Sequence, residues 1–84
     1  MPLLVFQAMV NTIVKDGIYR HYKGQQYRAI DIVRHSETLE ELVFYECLYE
    51  NKLGQFWVRP KAMWFEELEI GGKKVRRFEL IQTS

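Results

Sequence analysis

Phe65 to Phe78, "FEELEIGGKKVRRF", is the stretch on which the fold turns. Gly71 and Gly72 stand at its centre and suit a two-residue hairpin loop, because glycine enters positive φ without a Cβ penalty. Folding the chain there sets Glu69 opposite Lys74, Leu68 opposite Val75, Glu67 opposite Arg76, Glu66 opposite Arg77 and Phe65 opposite Phe78. Nearly every pair is complementary, and each such pair contributes roughly 0.2–1 kcal/mol. Alternation assigns Leu68, Ile70 and Val75 to the core side and Glu67, Glu69, Lys74 and Arg76 to the other. Alone, "KKVRR" resembles a nucleic-acid patch. In this register "EELE" answers its charges, so it reads as a cross-strand salt-bridge face rather than a phosphate-binding one.

Upstream, short apolar runs alternate with turn residues. Phe56 to Arg59 reads as a strand stopped by Pro60, which has no N–H for a ladder. Lys61-Ala62-Met63 then suits one tight turn. Leu42 to Tyr49, "LVFYECLY", is dense in β-formers and reads as a strand, followed by a turn over Glu50 to Gly54. Ile18 to Tyr22 and Tyr27 to Arg34 form another strand pair, joined at Lys23-Gly24-Gln25. With Gly24-Gln25 as the loop, Tyr22 faces Tyr27; a slipped register sets Arg20 opposite Tyr27. Lys15-Asp16-Gly17 is turn chemistry. Five or six short antiparallel strands and no long helix imply a small all-β barrel or sandwich.

With 84 residues the chain is one small domain. A domain near this length buries about 60–70% of its unfolded surface, so the core is thin. A net charge of +1 supplies no broad field for nucleic acid or anionic membrane. The single cysteine, Cys47, allows no intrachain disulfide and points to a reducing, cytoplasmic setting. There is no C-x-x-C or H-x-x-x-H spacing, so neither a metal site nor a cofactor is expected.

Residues 1–14, "MPLLVFQAMVNTIV", carry no charged side chain and read as an apolar extension to a domain over 15–84. The segment is too short to span a membrane and lacks the basic start of a signal peptide. Leu3, Phe6, Val10 and Ile13 could share a helical face; Leu4, Phe6, Ala8, Val10 and Val14 could share a strand face. Such a surface must pack on the domain or on another copy. Leu3, Phe6 and Val10 are therefore candidates for a homo-oligomer contact. A natural start at Met9 is a further reading.

Candidate chemistry centres on His35-Ser36-Glu37-Thr38. His35 beside Ser36 suggests a base and a nucleophile, yet neighbours in an extended chain point to opposite faces. Small barrels also exclude water poorly. A hydrolase or metal-dependent enzyme using His35 therefore ranks last, and no catalytic residue is assigned. Thr38 with Glu41 three residues on fits a capping box that could start a helical turn. Ser36, Glu37 and Thr38 alternatively offer hydroxyl and carboxylate contacts in a recognition loop. His21 could approach His35 if the first two strands pair, and Asp31 or Glu37 could then complete a metal set; the alternative is a half-exposed strand histidine. Tyr19, Tyr22, Tyr45, Tyr49, Trp57 and Trp64 exceed what a thin core needs, and Arg20 and Arg59 sit among them. About half should be core; the rest could stack on a proline-rich peptide or a base.

The run Gly17 to Gly24, "GIYRHYKG", resembles the opening of a bacterial family, domain of unknown function 1653. So do His35 to Val43, Tyr45, Leu48-Tyr49, Trp57 to Pro60, Met63, Phe65-Glu66 and Arg77-Phe78. The likeness runs from about Gly17 to Phe78. Gln25 and Trp64 depart from the family's usual Asn and Phe, and the segment before Lys15 lies outside the pattern. The resemblance implies a compact SH3-like barrel and no particular activity. SH3-like barrels commonly use aromatics between loops, which favours a non-catalytic binding or adaptor module for a protein, peptide or nucleotide ligand. The candidate ligand-binding residues are His21, His35, Ser36, Glu37, Thr38, Trp57, Arg59, Tyr19 and Tyr49.

Overall fold

A computed structural model describes residues 12–83. Seven strands and one helical turn follow in order: β1 (Ile18–His21), β2 (Gln26–Arg34), β3 (Glu41–Cys47), β4 (Phe56–Pro60), α1 (Lys61–Trp64), β5 (Glu67–Ile70), β6 (Lys73–Arg76) and β7 (Phe78–Gln82). Five form an antiparallel sheet in the order β4-β3-β2-β1-β7, and β5 and β6 form a separate ribbon. The all-β class stands. Among the described residues the barrel does not close, because β4 and β7 are the two edges of the sheet and do not pair. The seventh strand arises at Arg77, where the chain leaves the ribbon and Phe78 joins β1.

The core lies on one face of the sheet. Val43, Tyr45 and Cys47 of central β3 are buried at alternate positions, with Phe44 and Glu46 between them half-buried. Tyr27 and Ala29 of β2, Tyr19 of β1, Phe78 of β7 and Trp64 of α1 complete the cluster with Ile13. Ile30 is an extra residue, since Ala29 opposes Tyr45 and Asp31 opposes Phe44. Such a bulge reverses the alternation of faces. Tyr27 and Ala29 therefore point inward before it, and Ile32 packs on the core after it.

Of the two hairpins whose register the sequence predicts, the first differs and the second keeps it. Between β1 and β2, Tyr19 opposes Tyr27 and Arg20 opposes Gln26, so neither expected pairing of Tyr27 forms. The loop holds three residues, Tyr22 to Gly24, closed by His21 N–H to Gln25 O at 2.8 Å and Gly24 N–H to His21 O at 2.7 Å. Gly24 takes φ of 111°, as the glycine ending a three-residue loop does. In the ribbon, Glu67 opposes Arg76, Leu68 opposes Val75 and Glu69 opposes Lys74, as the sequence requires. Glu66 and Arg77 continue it through Arg77 N–H to Glu66 O at 2.9 Å. Phe65 and Phe78 do not, because Phe78 opposes His21 instead.

The ribbon's apolar face is not core. Leu68 and Val75 are half-buried and Ile70 is 47% exposed. Among the described residues its only ion pair is Arg77 to Glu66 at 2.8 Å; Glu67–Arg76 and Glu69–Lys74 face each other without closing to ion-pair distance.

At the opposite edge, β4 includes Pro60, which opposes Leu42. Cys47 N–H donates to Gln55 O at 2.8 Å, so alternate residues Gln55, Trp57 and Arg59 bond toward β3. The backbone of Phe56, Val58 and Pro60 faces outward. Leu3, Phe6 and Val10, with the oligomer reading and the start at Met9, lie outside the described residues. Among those described, no helix is long and apolar enough to cross a membrane.

Candidate functional site

The His35–Thr38 segment is the turn between β2 and β3, and its polar atoms are used to hold the turn. His35 Nδ1 accepts from the N–H groups of Glu37 at 3.1 Å and Thr38 at 3.3 Å. Thr38 Oγ1 accepts from Glu40 N–H at 3.2 Å, and His35 N–H donates to Glu40 O at 2.9 Å. No capping box forms, because Glu41 already belongs to β3, where its carboxylate meets Lys61 at 3.2 Å. Ser36 and Glu37 are exposed in the same turn. His21 sits at the opposite end of β2, roughly 25–30 Å from His35 at about 3.3 Å per residue. The two histidines are not brought together. Among the described residues no three His, Cys, Asp or Glu side chains gather at a metal-binding distance.

A cleft of about 190 Å³ opens away from this turn, lined by Tyr27, Tyr45, Cys47, Tyr49, Asn51, Trp57 and Arg59. Strands β2, β3 and β4 present the inward residues, and the turn after β3 adds Tyr49 and Asn51. Tyr27 meets Tyr45 and Tyr49 edge to face, with centroids 5.3 and 5.6 Å apart. The Tyr27 and Tyr49 hydroxyls lie 3.1 Å apart, and Asn51 Nδ2 reaches the Tyr49 hydroxyl at 3.5 Å. Burial, reinforced by the Tyr49 hydroxyl, pushes the Tyr27 phenol well above its ordinary pKa. It therefore stays neutral across the physiological range. Trp57 Nε1 donates to Gly54 O at 2.9 Å, which fixes the indole in the wall.

Arg59 joins this cleft to the core. Its guanidinium lies over the Phe78 ring, 5.2 Å from the centroid, a cation–π geometry. The Arg59 Nε–H is buried with no acceptor among the described residues. His21 packs against the same Phe78 ring, 4.9 Å between centroids, and its Nδ1 accepts from Lys23 N–H at 3.2 Å. That bond leaves the proton of the neutral imidazole on Nε2. Burial lowers the His21 pKa, and the positive charges of Arg59, Arg77 and Lys23 lower it further.

Of the nine residues singled out from the sequence, Tyr49, Trp57 and Arg59 share the cleft, and His21 reaches it through Phe78. His35, Ser36, Glu37 and Thr38 do not. Tyr19 is a core residue: it is 5% exposed, its ring meets Trp64, and its hydroxyl accepts Val14 N–H at 3.0 Å. The cleft's other four residues, Tyr27, Tyr45, Cys47 and Asn51, are not among those nine, though Tyr45 belongs to the surplus aromatics. Tyr27 is the second residue of the bulged strand β2, and Asn51 sits in a turn whose path only the fold defines.

The family model described as "Protein of unknown function (DUF1653)" matches residues 17–80. No curated protein matches the chain. Among solved structures, the crystal structure of a DUF1653 protein from Bordetella bronchiseptica is similar, with a TM-score of 0.77 and 33% identity. That likeness covers 83% of this chain and 90% of the Bordetella chain. Every element from β1 through most of β7 falls inside the matched range, and the cleft falls inside it whole; the chain belongs to the DUF1653 family of proteins of unknown function.

Proposed function

We propose that the chain is a non-catalytic binding module whose contact site is the cleft of Tyr27, Tyr49, Asn51, Trp57 and Arg59. The observation that carries this reading is Arg59, a half-buried cation that faces aromatic rings and has no carboxylate partner among the described residues. Folding a charge into such a place without a counter-charge costs stability, and a bound ligand would recover that cost. The non-catalytic part is supported by two features. His35 Nδ1 is occupied by two backbone N–H groups in an exposed turn. Within the cleft, the Tyr27 phenol is held neutral, so it does not trade protons near neutral pH. A reducing, cytoplasmic setting suits Cys47, which is buried and free.

The test is a two-dimensional NMR titration of the chain with a panel of small aromatic acids, amides and nucleosides. Saturable shifts at the Trp57 indole N–H, the Asn51 amide and Tyr49 are expected. Shifts centred on His35 to Thr38, or on no region, would sink the cleft as the contact site.

A further inference from the structure

We infer that the occupant of the cleft carries an oxyanion, a carboxylate or phosphate, joined to one flat ring, with the anion on Arg59 and the ring against Tyr49 and Trp57. This rests on the binding reading above and narrows it to a ligand class.

Four cationic side chains of the described residues are half-buried: Arg28, Arg59, Lys61 and Arg77. Three meet a carboxylate, Arg28 with Glu46 at 3.6 Å, Lys61 with Glu41 at 3.2 Å and Arg77 with Glu66 at 2.8 Å. Arg59 has Phe78 instead of a carboxylate. The rule this chain follows for half-buried cations is thus broken once, at the cleft.

The unmatched polar atoms have one sign. Three buried side-chain N–H groups lack an acceptor among the described residues: Arg59 Nε, Arg77 Nε and Trp64 Nε1. All three are donors, and no buried side-chain acceptor is left over with them. Two of them meet one ring: Arg59 lies over Phe78 and Trp64 stacks on it at 3.8 Å; of the three, Arg59 alone lines the cleft. Water can accept from an N–H, but it cannot neutralise a guanidinium. An oxyanion does both, and the planar fork of arginine matches the paired oxygens of carboxylate or phosphate.

The walls set the rest of the ligand. Tyr49 and Trp57 are the half-buried rings of the wall, with Tyr27 and Tyr45 buried behind them, so a flat ring would stack on Tyr49 and Trp57. A cleft of about 190 Å³ is smaller than the roughly 300–1,000 Å³ of drug-sized sites, so one ring with its anion fills it. The larger groove beside the ribbon, about 530 Å³, has mixed walls, with Arg20 already bound to Glu79 at 3.1 Å. Its other cations, Lys74 and Arg76, are exposed, so water meets them without a bound anion.

The experiment compares benzoate, phenyl phosphate and benzamide on the 84-residue chain. NMR shifts at the cleft give affinity, and the His21 pKa is read with and without each probe. Benzoate or phenyl phosphate should bind, weaken as salt rises, and raise the His21 pKa, because an anion offsets the charges that now lower it. Arg59→Gln should lose roughly ten- to a hundredfold in affinity, the usual scale for a hydrogen bond to a charged group. Arg59→Lys should keep part of it. The tighter of the two anions names the headgroup. The His21 titration uses wild-type protein, so it does not depend on either variant folding. Benzamide binding as tightly as benzoate, with Arg59→Gln neutral, would overturn the oxyanion and leave the cleft standing. Benzoate binding with no change in the His21 pKa would also overturn it. If no probe moves the cleft signals, the inference and the binding reading fall together.

Discussion

Trp64 and Phe78 stack face to face, with ring centroids 3.8 Å apart and planes 5° from parallel. Trp64 comes from the single helical turn and is 1% exposed; Phe78 opens the last strand. The stack pins α1 onto the sheet between its two edges. Trp64→Ala should cost about 3–5 kcal/mol, a large part of the roughly 5–15 kcal/mol that holds a domain together. Trp64→Phe should cost much less, since it keeps a ring and removes a buried indole N–H that lacks an acceptor. Urea unfolding of both variants checks this. Similar midpoints for Trp64→Ala and wild type would show that the stack is not structural.

His21 makes stability depend on pH. Its folded pKa is lowered from 6.5, first by burial and then by Arg59, Arg77 and Lys23. Below pH 6.5 the unfolded chain therefore binds a proton that the folded chain still refuses. Stability should be full above 6.5 and fall as pH drops from there, until folded His21 itself takes up the proton. His21→Asn keeps an acceptor for Lys23 N–H and should flatten this decline. Urea midpoints measured across the window decide it; an unchanged slope in the variant would rule His21 out.

Leu39 adopts φ of 65° and is 62% exposed. A β-carbon in the left-handed region costs about 1–2 kcal/mol, and an exposed leucine gives little packing in return. Leu39→Gly should therefore stabilise the fold, by about 0.5–1 kcal/mol once the extra freedom of unfolded glycine is subtracted. Thermal melting should show a rise. A fall would mean that the leucine makes a contact worth more than the strain.

His35→Ala should act on the turn alone. Two N–H groups lose the Nδ1 acceptor, at a cost of about 1 kcal/mol because the turn is exposed and water replaces it. Benzoate affinity at the cleft should not change. A loss of affinity with folding intact would restore the turn to the contact surface.

The parts legible in the sequence were those fixed by local chemistry. Gly71-Gly72 and the facing charges set the register of the β5–β6 ribbon to the residue. Its burial was not legible, because which side of a ribbon meets a core depends on where Arg77 turns the chain. In the hairpin after His21, Tyr22 looks like strand and behaves as turn, and the partner of Tyr27 moves from Tyr22 to Tyr19, three residues away. Thr38 and Glu41 satisfy a helix-start pattern, yet β-formers from Leu42 onward pull Glu41 into a strand. The aromatic excess pointed to Tyr49 and Trp57 with Arg59 among them, and the fold sets all three in one cleft. Tyr27 escaped because the Ile30 bulge resets strand parity and carries no mark in a run of β-branched residues.

The outward backbone of β4 has a consequence for how copies of this chain meet. Phe56 and Val58 are 54% and 51% exposed along that rim, and each presents an amide donor outward. A strand arriving there finds those two donors and then Pro60, where the donor is missing. A cross-β fibre needs an unbroken ladder of donors and acceptors along every layer. Pro60 interrupts that ladder at the rim where apolar side chains would otherwise invite it, so the proline guards an open sheet against templating its own polymer.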